Sequence, residues 1–193
     1  MKHFSLVLFS ILILTLSGCG YNKLQGLDED VKASWSEVEN QYQRRHDLVP
    51  NLVEVVKGYA KHEKETLEAV IGARAKATQK TVNMNGLSNP GAFKNFQQAQ
   101  DGLTSALSKL MVVVEKYPDL KANENFRDLQ AQLEGTENRI TVARKRYIEN
   151  VAEYNKGVRF FPTNLTAKYL LHLEPRETFT TTQEAKAVPK VQF

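Results

Sequence analysis

A chain of 193 residues, 41% hydrophobic and 25% charged, has the make-up of one folded domain, neither disordered nor long enough for two comfortable ones. Lys and Arg number 26 against 22 Asp and Glu, and this net +4, spread along the chain, gives little support to nucleic-acid binding. A single Cys excludes an intramolecular disulfide, a thiolate zinc cluster and an iron–sulfur site, while 10 Gly and 6 Pro are too few for a turn-rich β fold.

The N-terminus reads as a targeting segment. Lys2 and His3 form a small positive region, and residues 4–16 are apolar except for Ser5, Ser10 and Thr15. A bilayer span needs about 20 residues, so this shorter run has the length of a signal peptide. Leu16-Ser17-Gly18-Cys19 follows. Small residues there admit a peptidase, and the Cys19 thiol can carry lipid, so the segment resembles a bacterial lipobox. An uncleaved membrane anchor is the alternative. With lipidation, residues 1–18 are the signal peptide, Cys19 begins the mature chain, and 19–26 are a short tether. Several acyl chains on one residue anchor a protein stably. Gly20, not Asp, follows the Cys, which by analogy favours the outer membrane in a cell that has two.

From residue 27 onward the apolar side chains recur at helical spacing. Val31, Trp35, Val38, Tyr42 and Val49 make a first stripe, and Leu52, Val56, Tyr59, Leu67, Val70 and Ala77 a second. Between them, Arg44-Arg45-His46 suits a helix C-terminus and Asp47 suits an N-cap, with Pro50 in the new first turn. The sequence favours a break there, because a proline inside a helix costs about 3 kcal/mol; the rival is one continuous helix kinked at Pro50. Met84-Asn85-Gly86-Leu87-Ser88-Asn89-Pro90-Gly91 reads as a loop. Phe93, Phe96, Leu103, Leu107, Leu110, Val114 and Tyr117 make a third stripe, ended by Pro118. Asn123 offers a cap for the restart. Phe126, Leu133, Ile140, Tyr147, Tyr154 and Phe161 recur every seven residues, widened by Leu129, Ala143, Val151 and Val158. Such a seam packs at a shallow angle. The expected fold is therefore all-α, an antiparallel up-and-down four-helix bundle over residues 27–162. Pro175, Thr178 to Thr182 and Pro189 argue against helix beyond it, so 163–193 is expected to be a mostly irregular tail draped on the bundle.

Few residues offer chemistry. His62-Glu63 lacks a second His at zinc-protease spacing, and neither His46 nor His62 has Glu three residues before it, so no metal is expected. A phosphate loop, a Gly-x-Ser-x-Gly elbow and a free thiol are all missing, so the expectation is a non-enzyme with no cofactor beyond lipid on Cys19. Glu137 lies beside the long seam, with Arg139 and Arg144 on the same helix and Arg44, Arg45 and Arg74 available from others. They read as a buried polar layer that fixes the register of the bundle, or else as a recognition site for a charged group. Residues 143–147 and Arg44-Arg45 are basic runs, either solvated helix faces or contacts for anionic headgroups.

Several strings together resemble one family. They are Trp35 with Arg44-Arg45-His46-Asp47-Leu48-Val49-Pro50-Asn51-Leu52-Val53, then Val56-Lys57-Gly58-Tyr59-Ala60-Lys61-His62-Glu63, Tyr117-Pro118-Asp119-Leu120-Lys121-Ala122, and Thr136-Glu137-Asn138-Arg139-Ile140 with Tyr147, Tyr154-Asn155 and Phe161-Pro162, closing on Pro189-Lys190-Val191-Gln192-Phe193. The chain is similar to the LemA family over nearly its whole mature length. It departs in carrying a lipobox where many relatives keep a transmembrane segment, and in His46 and Ile148 where Tyr and Asn are usual. The resemblance implies an envelope protein anchored at its N-terminus with a helical bundle outside the cytoplasm, and no particular reaction. Neighbouring genes of relatives suggest a TPM-domain envelope partner. The expected function is thus a membrane-anchored scaffold or interaction module with an envelope-protein partner. The alternative is a membrane-organising protein whose basic faces meet anionic lipid. Nucleic acid is not expected outside the cytoplasm.

Overall fold

The computed structural model describes the backbone of residues 2–180 and the side chains of residues 20–180 apart from Asn85. The lipobox side chains through Cys19, and the closing Pro189-Lys190-Val191-Gln192-Phe193, lie outside the described residues. Among these the structure is all-helical. Helix α1 spans Lys2–Tyr59, α2 Lys64–Gln79, α3 Pro90–Val114, α4 Pro118–Ala122, α5 Glu124–Arg159 and α6 Thr163–Tyr169. A 3-10 turn, Met84–Ser88, occupies the expected loop, where the Asn83 side chain accepts from the Gly86 N–H at 2.9 Å.

Local chemistry sets the helix starts. Asn89 accepts from the Ala92 N–H at 3.0 Å, with Pro90 in the first turn of α3. Asn123 closes α4 and caps α5 by accepting from the Phe126 N–H at 3.0 Å.

Three expectations are corrected. The helix does not break at Pro50: α1 runs through it. A proline removes the N–H that would bond the carbonyl four residues back, here that of His46. Arg74 of α2 donates from Nε to that carbonyl at 2.8 Å, so the orphaned acceptor is satisfied from a neighbouring helix. Residues 20–26, expected as a tether, continue α1, and Leu24 is fully buried. The tail is not irregular throughout, because 163–169 form α6. The Thr163 hydroxyl donates to the carbonyls of Gly157 at 2.6 Å and Phe160 at 3.0 Å, quenching the end of α5 as the chain turns into α6.

The two longest helices, α1 and α5, run side by side. Leu24 and Leu27 lie against Gly157, Arg45 meets Glu137, and Asn123 reaches the Tyr59 hydroxyl, so α1 and α5 run antiparallel. Gln100 of α3 donates to the Ala77 carbonyl of α2 while its oxygen meets Arg45 of α1.

Their apolar faces form two cores. One gathers Trp35, Phe93, Phe96, Tyr147 and Phe179 with Leu24, Val31 and Tyr154. The other gathers Val49, Leu52, Val56, Val70, Leu103, Leu110, Phe126 and Leu133. The predicted stripes supply most of both, but Tyr59 ends α1 and Phe161 lies just past α5, and they are 45% and 79% exposed.

Candidate functional site

A polar layer separates the two cores. Its centre is Arg45, only 1% exposed, placed on the core face of α1 three residues beyond Tyr42 and four before Val49. Its Nη1 donates to the Thr104 hydroxyl at 2.9 Å and to the Glu137 carboxylate at 3.0 Å. Its Nη2 donates to Gln100 Oε1 at 2.7 Å and to the Gln100 carbonyl at 3.3 Å. The guanidinium also lies 5.0 Å from the Tyr42 ring centroid, and its Nε faces no acceptor among the described residues. A buried cation is tolerable when its protons are this well matched.

His46 is buried beside it, with Nε2 3.3 Å from Gln100 Oε1. An amide oxygen only accepts, so the imidazole donates to it from Nε2–H. Burial, and then the Arg45 charge, hold the His46 pKa below its ordinary value. A shallow groove of about 190 Å³ opens over this side of the layer, lined by Glu39, Tyr42, Gln43, His46 and Gln100 among others. Burial raises the pKa of Glu39 there.

The six residues singled out from sequence do not all meet. Arg45 and Glu137 are brought into an ion pair, and Arg74 joins them through the His46 backbone. Arg139 is exposed and turns from Glu137, donating to Gln41 Oε1 and the Thr136 hydroxyl. Arg144 sits over the Phe179 ring at 4.2 Å. Arg44 is exposed. The basic runs are likewise split, since Arg45, Ala143 and Tyr147 are buried and Lys145 pairs with Glu149 at 3.9 Å. His62 is exposed in the turn between α1 and α2, and no cluster of three or more His, Cys, Asp or Glu side chains suited to a metal occurs among the described residues.

A second polar cluster fastens the chain after α6. Arg176 donates to Asp28 Oδ1 at 2.6 Å and to the Met84 carbonyl at 2.8 Å, and Lys32 also reaches Asp28 at 2.9 Å. The hydroxyls of Tyr147 and Tyr154 donate to the carbonyls of Glu177 and Glu174, at 2.9 and 3.0 Å. Both phenols have pKa values raised by burial. Asn155 bonds the Arg176 backbone in both directions, and Gln97 does the same for Thr180. Phe179 then drops between Trp35, Phe93 and Tyr147, with ring centroids 6.2, 5.0 and 5.7 Å away.

Gln100, Thr104, Asp28 and Arg176 were not singled out from sequence. Gln100 was legible in principle, because it falls on the core stripe between Phe96 and Leu103. The pairing of Asp28 with Arg176 had no sequence signal across so long a separation.

Among the described residues these features define an all-helical protein whose internal charges are largely spent on one another, with residues 174–180 strapped across the helices. The chain belongs to the LemA family: the family model matches residues 34–193. Magnetosome protein MamQ of Magnetospirillum gryphiswaldense is 28% identical over 177 residues, covering 83% of this chain and 65% of the relative. Magnetosome proteins MamQ 1 and MamQ 2 of Paramagnetospirillum magneticum are each 29% identical over 163 residues, covering 76% of this chain and 60% of the relatives. The chain thus spans less than two thirds of the length of these curated relatives.

Proposed function

We propose that the protein is a membrane-anchored component of the cell envelope and that its helices, read as an up-and-down four-helix bundle, act as a non-enzymatic scaffold for an envelope-protein partner. In this reading Cys19 carries the lipid and residues 1–18 are removed. The observation that carries it is the continuity of α1 from Gly20 into the body. A helix beginning beside the anchor holds the body at a fixed attitude to the membrane, where a flexible tether would let it wander. The strap adds to this, since a body with residues 174–180 fastened across it presents rigid helix faces. Naming relatives as magnetosome proteins fits a role in an assembly. The alternative of basic helix faces on anionic lipid draws less support, because Arg45 and Arg144 are engaged internally.

Crosslinking of the full chain in intact membranes, followed by mass spectrometry, tests the scaffold. A Cys19→Ala form that fails to anchor is the control. One recurrent protein partner, lost in the control, is the expected result. Crosslinks to lipid and to itself alone would refute the scaffold and favour a membrane-organising role.

A further inference from the structure

One end of the body exposes large apolar side chains that no helix covers among the described residues. Phe160 and Phe161 follow α5, Leu165 and Tyr169 lie one turn apart on α6, and Leu170 follows; Tyr21 joins them from α1. Phe161 is 79% exposed and Tyr169 66%. These are not scattered residues. Helix α6 packs against α1 at Gly20, so closely that a Cβ there would meet Thr163 Cγ2 at 3.3 Å. Ala167 turns inward and is buried, which sends Leu165 and Tyr169 outward.

The place of this patch identifies what covers it. Gly20 adjoins Cys19 and lies only four residues past the apolar run 4–16, about 6 Å along a helix. Whether the anchor is lipid on Cys19 or the apolar run itself, the bilayer surface falls at Gly20, and α6 is packed on Gly20. The charges agree. Lys23, Arg159 and Lys168 lie at this end outside any ion pair among the described residues, while Glu153 is bonded to Lys156 at 2.6 Å. Aromatic rings interleaved with Lys and Arg are the side chains that settle at the boundary of headgroups and acyl chains.

We propose that this end, built by Phe160, Phe161, Leu165, Tyr169, Leu170 and Tyr21, is a bilayer-docking face that rests in the interface of an anionic phospholipid membrane. It rests on the anchoring reading above and adds a second contact, so the body stands on the membrane at two points, the anchor and α6. That fixes its rotation about α1 as well as its height.

Brominated acyl chains quench tryptophan only at membrane depth, and this tests the docking. The full chain is reconstituted in vesicles of zwitterionic and anionic phospholipid with bromine on the acyl chains, and vesicle flotation reports anchoring separately. Phe161→Trp places a reporter in the patch at a side chain that packs on little. Val142→Trp places one at a 61%-exposed position on α5, about 28 Å further along the helix. The native Trp35 is buried in both and gives a common background. Expected is blue-shifted emission from Phe161→Trp that loses about half or more of its added intensity to bromine, with no loss from Val142→Trp. Floating vesicles with Phe161→Trp quenched no more than Val142→Trp would overturn the docking face and leave the anchor standing. Blue-shifted but unquenched emission, with crosslinks from this position to protein, would overturn it in favour of a protein cover. Protein that does not float with the vesicles would overturn both readings.

Discussion

Glu137→Ala tests the layer that divides the two cores. The substitution removes the carboxylate 3.0 Å from Arg45 Nη1 and leaves the guanidinium with three neutral acceptors on Thr104 and Gln100. Breaking a fully buried ion pair by deleting one partner costs about 3–5 kcal/mol. The Glu137 side chain is 36% exposed and Arg45 keeps its other bonds, which trims the expected loss to about 2 kcal/mol. For a domain of this size that lowers Tm by about 4–8 °C. Urea unfolding of the full chain in mild detergent, followed by helical circular dichroism, measures it. The decisive comparison repeats the substitution in an Arg45→Met background. There the carboxylate has no cation to hold, and Glu137→Ala should cost less than about 0.5 kcal/mol. Equal losses in the two backgrounds would refute the coupling and with it the reading of these residues as a structural layer.

Three further outcomes follow from the same geometry. Arg74→Ala strips the His46 carbonyl of its donor and should cost about 1–2 kcal/mol; in a Pro50→Ala background the restored helical N–H takes over that carbonyl and most of the loss should vanish, while a loss unchanged by the background would contradict the account of the uninterrupted helix. Phe179→Ala should destabilise by about 3 kcal/mol and shift the emission of Trp35 to the red, because it opens the ring cluster to water; unaltered emission would mean that the strap does not pack there in solution. His46 has its folded-state pKa lowered by burial and by Arg45, so the unfolded chain binds the proton more readily. Its contribution to stability is therefore complete above about pH 6.5 and lost as pH falls below it, through the lowered folded value. Between pH 7 and 5 the Tm of the native chain should drop further than that of His46→Gln, and parallel curves would exclude this histidine as the source.

The class of fold was written in the periodicity. Trp35, Val38 and Tyr42, or Ile140, Tyr147 and Tyr154, repeat at helical spacing, and burying such stripes needs other helices whatever their arrangement. Asn123 announced its helix start because a cap is chemistry between residues three apart, while Asn89, read only as part of a loop, caps α3 by the same chemistry. Pro50 was misread for the complementary reason: the local rule is correct, but the compensating donor, Arg74, comes from a different helix. Residues 163–169 were misread because their helix is held by Gly20 and by the end of α5, not by a stripe of its own. The layer stood between. Glu137 lay visibly beside a seam and Arg45 was one of three candidate partners from other helices, yet which cation met the carboxylate, and that Arg139 and Arg144 did not, depended on how α1 and α5 slide past each other. The pairing of Asp28 with Arg176, the seat of Phe179 among the rings, and the gathering of Phe161 and Tyr169 beside Gly20 were decided by tertiary structure alone. Sequence encodes each residue's preference for water or core and its bonds to near neighbours. Contacts between distant segments exist only once the chain has closed its long loops, and they are set by the packing that closure produces.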